Sequence, residues 1–292
     1  MQKVLITGAS GYLANTLVPR AAQQAEVVGT ARNKDKISDP AQALTLDITR
    51  RASVLDLVLA EQPDVIIHCA ASNPGGDEAT MQTVNATGGA HIAEAAKRCG
   101  CRLIAVSSDT VFSGNEGPYA DDAPTSALRE NAYATSKADA EAAILEHCPD
   151  ALIVRTSLIY GLDKIDRGTE GFVKRLKQGH ELQLFTDVIR QPVFDSALAD
   201  NLCKLAFDLV DESGTMNLAG DEACSRYSFG MRMLDYWKAD YKDLMIGKSG
   251  VGIAGLPLDL RLHHDRAESL GLSTIGVSSV LKEYGRGNSE RR

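Results

Sequence analysis

The stretch KVLITGASGYLA, residues 3–14, joins a run of apolar strand formers to a glycine-rich turn and the start of a helix. Its apolar run is continuous rather than alternating, which is typical of a strand buried on both faces. Gly8 permits a tight turn, Gly11 lets the backbone approach a diphosphate, and the small Ala14 allows helix and strand to pack closely. The stretch predicts dinucleotide binding, and the alternative is a glycine-rich turn that binds no ligand.

Apolar runs alternate with helical patterns through the first half of the chain, which predicts a parallel sheet covered on both faces. We expect an α/β fold, a doubly wound Rossmann sheet, with a smaller, irregular C-terminal substrate-binding region. The predicted domains are residues 1–160, which bind the dinucleotide, and residues 161–292, mostly substrate-binding with some segments returning to the sheet. Predicted strands are 3–8, 26–32, 44–49, 64–71, 102–108, 151–157, 182–185, 190–194 and 215–220. Predicted helices are about 11–24, 51–61, 84–100, 132–146, 168–179, 196–210 and 277–284.

Composition and charge limit the classes of protein that fit. The 292-residue chain is 44% hydrophobic and 24% charged, which is typical of a globular protein. Its net charge of −8 argues against binding to nucleic acid or to an anionic membrane surface, since both need a basic face. No apolar stretch reaches the length of a membrane span, and the opening MQKVLITG lacks signal-peptide features. We therefore expect a soluble, cytoplasmic protein.

Cysteines and histidines show no metal-binding pattern. The six cysteines form no CxxC pair and no zinc-ligand spacing, so we expect reduced thiols and no metal site. His263 and His264 are adjacent, and adjacent side chains point apart on most backbones. We expect these two histidines to form a surface pair.

The hexapeptide AYATSK, residues 132–137, places Tyr133 four positions before Lys137, on one face of a predicted helix. Taken alone, the pair is better explained as a surface tyrosine and lysine on an amphipathic helix. The fifth strand, however, ends at Ser108, which brings a hydroxyl to the same cleft. Reduction of a carbonyl needs a proton donor at the developing alkoxide, and Tyr133 would supply it while Ser108 holds the carbonyl oxygen. Lys137 would lower the pKa of Tyr133 and bond the nicotinamide ribose.

Two residues at the ends of strands two and three bear on the choice of cofactor. Arg32 stands where an acidic residue would accept a hydrogen bond from the 2′-hydroxyl of NAD. A guanidinium fits a 2′-phosphate, so NADP(H) is favoured over NAD(H), unless Arg32 merely faces solvent. Asp47 is a candidate acceptor for the adenine amino group, or alternatively the N-cap of the following helix.

The glycine turn, Ser108 and the Tyr133–Lys137 pair together resemble the extended short-chain dehydrogenase/reductase family. Further segments are similar to its dTDP-4-dehydrorhamnose reductase branch, and the resemblance covers roughly residues 1–220. It implies an NADP(H)-dependent reductase that acts on a ketone, and specifically on a nucleotide-linked 4-keto-sugar. The segments are LDIT (46–49), HCAA (68–71), VNATGGAHIAEAA (84–96), SSDTVF (107–112), RTSLIYG (155–161) and RQPVFDSALAD (190–200).

The resemblance also implies a set of site residues. Thr110 stands where the branch usually has tyrosine, and His68 where it has a small or amide residue; both changes touch the cleft. Candidate catalytic residues are Ser108, Tyr133 and Lys137, and candidate substrate contacts are Asp109, Thr110 and Arg190. Candidate cofactor contacts are Gly8, Ser10, Gly11, Tyr12, Leu13, Arg32, Asp47, Ile48, Ala70, Ala71, Asn85, Tyr133, Lys137 and Ser157.

The main alternative is a non-catalytic NADP-binding regulatory or sensor protein, similar to the β subunit of methionine adenosyltransferase. The intact Ser108, Tyr133 and Lys137 favour the enzyme, because a binding module has no need of all three. A dehydratase or epimerase ranks lower, since a dehydratase would want an acidic pair beside the serine and only Asp109 is present. The expected partner is a small molecule, with no nucleic acid and no membrane. Helices of this fold can pair across a two-fold axis, which leaves a homodimer open.

Overall fold

The computed structural model describes residues 1–37, 42–165, 167–239 and 242–284. The strands are β1 (Lys3–Thr7), β2 (Glu26–Ala31), β3 (Gln42–Thr45), β4 (Val65–His68), β5 (Arg102–Ser108), β6 (Leu152–Thr156), β7 (Ile159–Tyr160), β8 (Leu182–Phe185), β9 (Ile189–Arg190), β10 (Val193–Phe194), β11 (Gly214–Asn217), β12 (Cys224–Ser225) and β13 (Met245–Lys248). The helices are α1 (Tyr12–Ala21), α2 (Arg51–Glu61), α3 (Glu78–Gln82), α4 (Gly88–Cys99), α5 (Ala132–His147), α6 (Arg167–Lys177), α7 (Asp195–Phe207), α8 (Arg226–Tyr236), α9 (Asp265–Ser269) and α10 (Val277–Tyr284). None of the helices in these ranges is long and apolar enough to span a bilayer.

A seven-stranded sheet forms the centre of the molecule, in the order β11-β6-β5-β4-β1-β2-β3. Every pairing in it is parallel. The chain runs outward from β1 to β3, then returns to the other side of β1 and continues from β4 to β11. In open α/β sheets, ligands bind outside the carboxyl ends of the strands at such a reversal. The predicted doubly wound Rossmann fold is confirmed, and its crevice lies beside the ends of β1 and β4.

The two faces of the sheet are covered by different helices, which explains the continuous apolar strands. In β1, Val4 and Ile6 pack in the cluster that contains α1 and α7. Leu5 points to the opposite face and packs with residues of α2, α4 and α5. Successive side chains of a strand alternate between faces, so a strand covered on both sides must be apolar throughout.

The second half of the chain both returns to the sheet and builds a separate wall. β11 extends the sheet beyond β6, and α7 packs beside α1. β8 and β13 pair in parallel, and α6 and α8 pack on them around Leu184, Leu234 and Met245. An aromatic cluster of Tyr160 and Phe229 lies between this wall and the sheet. The cleft is therefore bounded by the sheet edge on one side and by this wall on the other.

Three predicted elements need correction. The helix predicted at 84–100 is preceded by α3, and a wider π-type turn at Thr83–Thr87 joins α3 to α4. The strand predicted at 190–194 is two short strands, because Pro192 has no N–H with which to continue a ladder. β9 pairs with β12 and β10 pairs with β7. The strand predicted at 44–49 ends at Thr45.

The prediction of a surface histidine pair is wrong for one member. His264 is 6% exposed at the start of α9, and its Nε2 has no hydrogen-bond partner among the described residues. Burial lowers the pKa of His264 to about 4. Of the two adjacent histidines, His263 is the one that faces solvent.

Candidate active site

The glycine turn between β1 and α1 brings the backbone against the loop that follows β4. Gly8 has a φ of +68°, and a Cβ on it would lie 2.7 Å from the backbone of Ala70. Only glycine fits that position without a shift of the chain. Gly11 N–H donates to the Gly8 carbonyl at 2.8 Å, and Gly11 caps α1 without a side-chain hydrogen bond. The first-turn N–H groups of α1 are therefore available to an anion.

The other residues of the turn divide between the core and the opposite wall. Leu13 is buried in the core that α1 shares with α7, so its side chain serves packing. Ser10 is half-buried in the turn itself. The Tyr12 hydroxyl donates to the Lys164 carbonyl at 2.9 Å, and a Cβ on Gly161 would lie 2.5 Å from that hydroxyl. Tyr12 therefore ties the glycine turn to the segment that follows β7.

Arg32 and Asp47 lie next to each other beyond β2 and β3. The Arg32 side chain is exposed, and its positive charge is close enough to lower the pKa of the Asp47 carboxyl. The larger causes of that lowered pKa are hydrogen bonds from the Thr49 hydroxyl at 2.8 Å and the Thr49 amide at 3.0 Å. The alternative prediction that Asp47 caps α2 is wrong, because Arg50 holds that position and Asp47 closes a turn before it. Ile48 is buried against Gly88.

Asn85 fixes the loop that carries Ala70 and Ala71. It lies on the π-type turn, and its Oδ1 accepts from the Ser72 amide at 2.7 Å. Its Nδ2 donates to the Ser72 carbonyl at 3.1 Å and to the Ser136 hydroxyl at 2.9 Å. Asn85 thereby joins the loop after β4 to α5, and the extra residue of the π-type turn directs its amide inward.

Ser108 and Tyr133 meet at the carboxyl end of β5. Asn131 Oδ1 accepts from the Ala134 amide at 3.0 Å, which starts α5 immediately before Tyr133. Burial raises the pKa of Tyr133, the Asp109 carboxylate raises it further, and a hydrogen bond with the Ser108 side chain opposes both. The Tyr133 phenol is therefore protonated at neutral pH and able to donate its proton.

Lys137 lies behind this pair and is 8% exposed. Its Nζ donates to the Val106 carbonyl at 2.9 Å, in the interior of β5. Burial lowers the pKa of Lys137, and the Glu141 carboxylate one turn later opposes that change. The expectation that Lys137 lowers the pKa of Tyr133 is wrong for this arrangement, because burial dominates at the phenol and the lysine is turned towards β5.

Asp109 and Arg190 form a buried ion pair across the cleft. Asp109 is fully buried, and its Oδ2 accepts from Arg190 Nε at 2.6 Å and from the Ser157 hydroxyl at 2.6 Å. A second Arg190 nitrogen contacts Oδ1 of the same carboxylate. Because Arg190 lies on β9, this pair joins the wall of the cleft to the residue that follows Ser108. Ser157, a candidate cofactor contact, is bonded here to Asp109.

A second buried ion pair, which the sequence analysis did not single out, lies beneath the site. Glu141 on α5 and Arg155 on β6 pair at 2.8 Å with side chains that are 5% and 4% exposed. The Ser107 hydroxyl donates to Glu141, and Arg155 also donates to the Ala123 carbonyl at 2.9 Å. Two signals point to it: Glu141 continues the four-residue spacing of Tyr133 and Lys137, and a charged residue inside an apolar strand needs a partner.

His68, at the end of β4, is neutral. Its Nδ1 lies 2.6 Å from the Thr7 hydroxyl on the neighbouring strand. Burial lowers the pKa of His68 to about 3, and the charge of Lys137 acts in the same direction. The histidine is thus a buried hydrogen-bonding group beneath the cleft.

A largely apolar cavity of about 200 Å³ lies between α6, α8, β8 and β13. Leu158 and Ile159, which follow Ser157 directly, form the side nearest the sheet, and Thr169 and Arg226 are its polar lining. A flat apolar or aromatic group can enter a space of this size and lining.

The predicted site residues therefore fall into two groups along the sheet edge. One is a connected network with Lys137 behind it, and the other lies beside the glycine turn and the ends of β2 and β3. The network contains Ser108, Asp109, Thr110, Tyr133, Ser157 and Arg190. The second group contains Gly8, Ser10, Gly11, Tyr12, Leu13, Arg32, Asp47, Ile48, Ala70, Ala71 and Asn85.

Comparison with known proteins places this arrangement in context. The family model for the RmlD substrate binding domain matches residues 1–249. A dTDP-4-dehydrorhamnose reductase of Mycobacterium tuberculosis is 30% identical over 254 residues, 82% of this chain and 77% of that protein. Methionine adenosyltransferase 2 subunit beta of Rattus norvegicus is 27% identical over a 310-residue alignment, 96% of this chain and 87% of that protein. The crystal structure of a Bacillus anthracis dTDP-4-dehydrorhamnose reductase in complex with NADP has a TM-score of 0.80 at 23% identity, over 94% of this chain and 95% of that one.

Proposed function

Because this chain belongs to the RmlD substrate-binding-domain family of extended short-chain dehydrogenases/reductases, and is an oxidoreductase of that type, we propose that it uses NADPH to reduce a nucleotide-linked 4-keto-sugar. The observation that carries the proposal is that the Ser108 and Tyr133 side chains lie together at the carboxyl edge of the sheet, close enough for Ser108 to lower the pKa of the phenol. Lys137 is buried directly behind that pair.

The glycine turn fits the diphosphate of a dinucleotide. A side chain on Gly8 would collide with the Ala70 backbone, and α1 begins without a side-chain cap, so backbone N–H groups face the crevice. When bound, the nicotinamide supplies a hydride to the carbonyl carbon of the substrate. Ala70, Ala71 and Asn85 shape the loop on the other side of the crevice.

The side chains around Ser108 handle the oxygen of the ketone. As the carbonyl carbon gains a bond to hydrogen, the π electrons move to the oxygen, which takes the proton of Tyr133. Ser108 donates a hydrogen bond to the same oxygen while its negative charge develops. Lys137 stays bonded to the Val106 carbonyl behind the pair, and the phenolate that remains regains a proton from solvent.

Arg32 supports NADPH as the cofactor. It is exposed at the end of β2, where the ribose of the adenosine half is expected, and no acidic residue occupies that position. The Asp47 carboxylate, whose pKa the Arg32 charge helps to lower, is bonded to Thr49. A planar guanidinium can bind a 2′-phosphate through two parallel hydrogen bonds.

A second candidate is an NADP-binding regulatory protein. It is favoured by one observation, the alignment with the methionine adenosyltransferase subunit over 96% of this chain. Its 27% identity is lower than the 30% of the M. tuberculosis reductase. A regulatory protein would bind NADPH and leave every ketone unreduced.

The test is a titration of the purified protein with NADPH and NADH, followed by a panel of nucleotide-linked 4-keto-sugars. We expect loss of nicotinamide absorbance at 340 nm with at least one member of the panel. The matched free 4-keto-sugar without a nucleotide controls for recognition of the nucleotide. Tight NADPH binding without oxidation by any ketone would support the regulatory protein instead.

A further inference from the structure

The Ser108 oxygen already accepts two hydrogen bonds from a single neighbour. The Thr110 amide donates to it at 3.2 Å, and the Thr110 hydroxyl donates to it at 2.9 Å. Ser108 is the N-cap of the short 3₁₀ turn Asp109–Val111 and Thr110 lies in the middle of that turn; the two residues are 8% and 9% exposed. A serine hydroxyl has two acceptor positions and one proton. Thr110 therefore takes up the whole acceptor capacity of Ser108.

The remaining function of the Ser108 hydroxyl is donation. In this structure two acceptors compete for its single proton, the Tyr133 oxygen and the Asp109 carboxylate, whose Oδ1 lies at 3.2 Å. That carboxylate is already held by Arg190 and Ser157, with shorter contacts of 2.6 Å to its other oxygen. The bond from Ser108 is the longest of these contacts, so it is the one most readily exchanged for a carbonyl oxygen that gains negative charge.

We propose that Thr110 is a positioning residue that occupies both acceptor positions of the Ser108 oxygen and so commits its hydroxyl to donating to the substrate carbonyl. The inference rests on the proposed reductase function. Without the Thr110 hydroxyl, Ser108 can accept a hydrogen bond from Tyr133. That bond would divert the proton which the reaction needs at the carbonyl oxygen. Thr110 thus keeps two donors, Ser108 and Tyr133, directed at one acceptor.

Thr110→Val tests the inference, because valine keeps the shape of threonine and removes only the hydroxyl. We expect kcat to fall about tenfold, the size of one lost orienting hydrogen bond, with the KM of the keto-sugar changed by less than about twofold. Thr110→Ser keeps a hydroxyl and should restore most of kcat. The matched control is Thr156→Val, since Thr156 is 2% exposed and its Oγ1 has no partner among the described residues.

A double-mutant cycle separates this role from a purely structural one. In a Ser108→Ala background, Thr110→Val should cause no further loss, because the group that Thr110 orients is gone. An equal loss in both backgrounds would overturn the inference. So would an unchanged kcat in Thr110→Val, or a raised KM with kcat intact, which would indicate direct contact with the substrate.

A titration without substrate distinguishes failure of this inference from failure of the proposed reaction. The pKa of Tyr133 is measured from phenolate absorbance. The signal of Tyr133 is the difference between each protein and the same protein with Tyr133→Phe. The titration covers the alkaline pH range in which circular dichroism shows that the fold is intact. Thr110→Val should raise that pKa, because Ser108 then accepts from the neutral phenol instead of donating to the phenolate. An unchanged pKa would contradict the inference. A raised pKa in a protein that reduces no ketone would sustain it and reject the reductase.

Discussion

The two ends of the cleft are built differently. At the proposed diphosphate end, the groups offered to a ligand are backbone amides and partly or fully exposed side chains: Gly8, Gly11, Arg32 and Asp47. At the proposed catalytic end they are side chains bonded mostly to one another, which lie on or directly after β5, α5, β6 and β9: Ser108, Asp109, Tyr133, Lys137, Ser157 and Arg190. A site made of backbone needs only the correct local fold. A site made of buried, mutually bonded side chains is sensitive to the loss of any one of them.

The largest expected effect lies at the catalytic end. Tyr133→Phe removes the proposed proton donor and leaves the ring, so kcat should fall about a thousandfold, the usual size of general-acid catalysis. NADPH affinity, set at the diphosphate end, should stay nearly constant when measured by nicotinamide fluorescence. Tyr284→Phe is the matched control, because Tyr284 is 49% exposed on α10. Full turnover by Tyr133→Phe would show that the Tyr133 phenol is not the proton donor.

The next effect concerns the support beneath the catalytic end. Glu141→Gln leaves Arg155 as a buried charge without its carboxylate, which costs about 3 kcal/mol of the free energy of unfolding. Urea denaturation followed by circular dichroism measures that loss. Asp150→Asn is the same acid-to-amide change in the surface pair with Lys97, where Asp150 is 82% exposed, and it should leave the urea midpoint unchanged. Equal midpoints for the two variants would show that the buried pair contributes no more than a surface pair.

The same contrast explains what the sequence could predict. The alternation of apolar runs and helices is a local pattern repeated along the chain, and it was enough to predict the parallel sheet. The glycine turn is equally local, since Gly8 and Gly11 act through their own backbone. Tyr133 and Lys137 share a face of α5 because of helical spacing alone.

Contacts between distant segments could not be read in this way. Asp109 and Arg190 are 81 positions apart, and both were predicted as substrate contacts, whereas they bind each other in this structure. Helical spacing correctly predicted that Lys137 lies on the same face of α5 as Tyr133. It could not predict that the Lys137 Nζ is buried and donates to the Val106 carbonyl. Glu141 was within reach of the sequence, because it extends the spacing of Tyr133 and Lys137 by one more turn.

The smallest effect is expected at the diphosphate end, where one exposed side chain sets a preference. Arg32→Ala should weaken NADPH binding about tenfold through loss of a charge-assisted contact with the 2′-phosphate, and leave NADH binding unchanged. The measurement is the ratio of the dissociation constants of NADH and NADPH, both determined from nicotinamide fluorescence. Arg50→Ala is the matched control, since Arg50 also lies beside Asp47 and is 77% exposed. If the preference for NADPH over NADH is lost only in Arg50→Ala, Arg50 is the residue that binds the 2′-phosphate. If neither variant changes the preference, neither arginine binds the 2′-phosphate, and the backbone of the glycine turn sets the choice of cofactor.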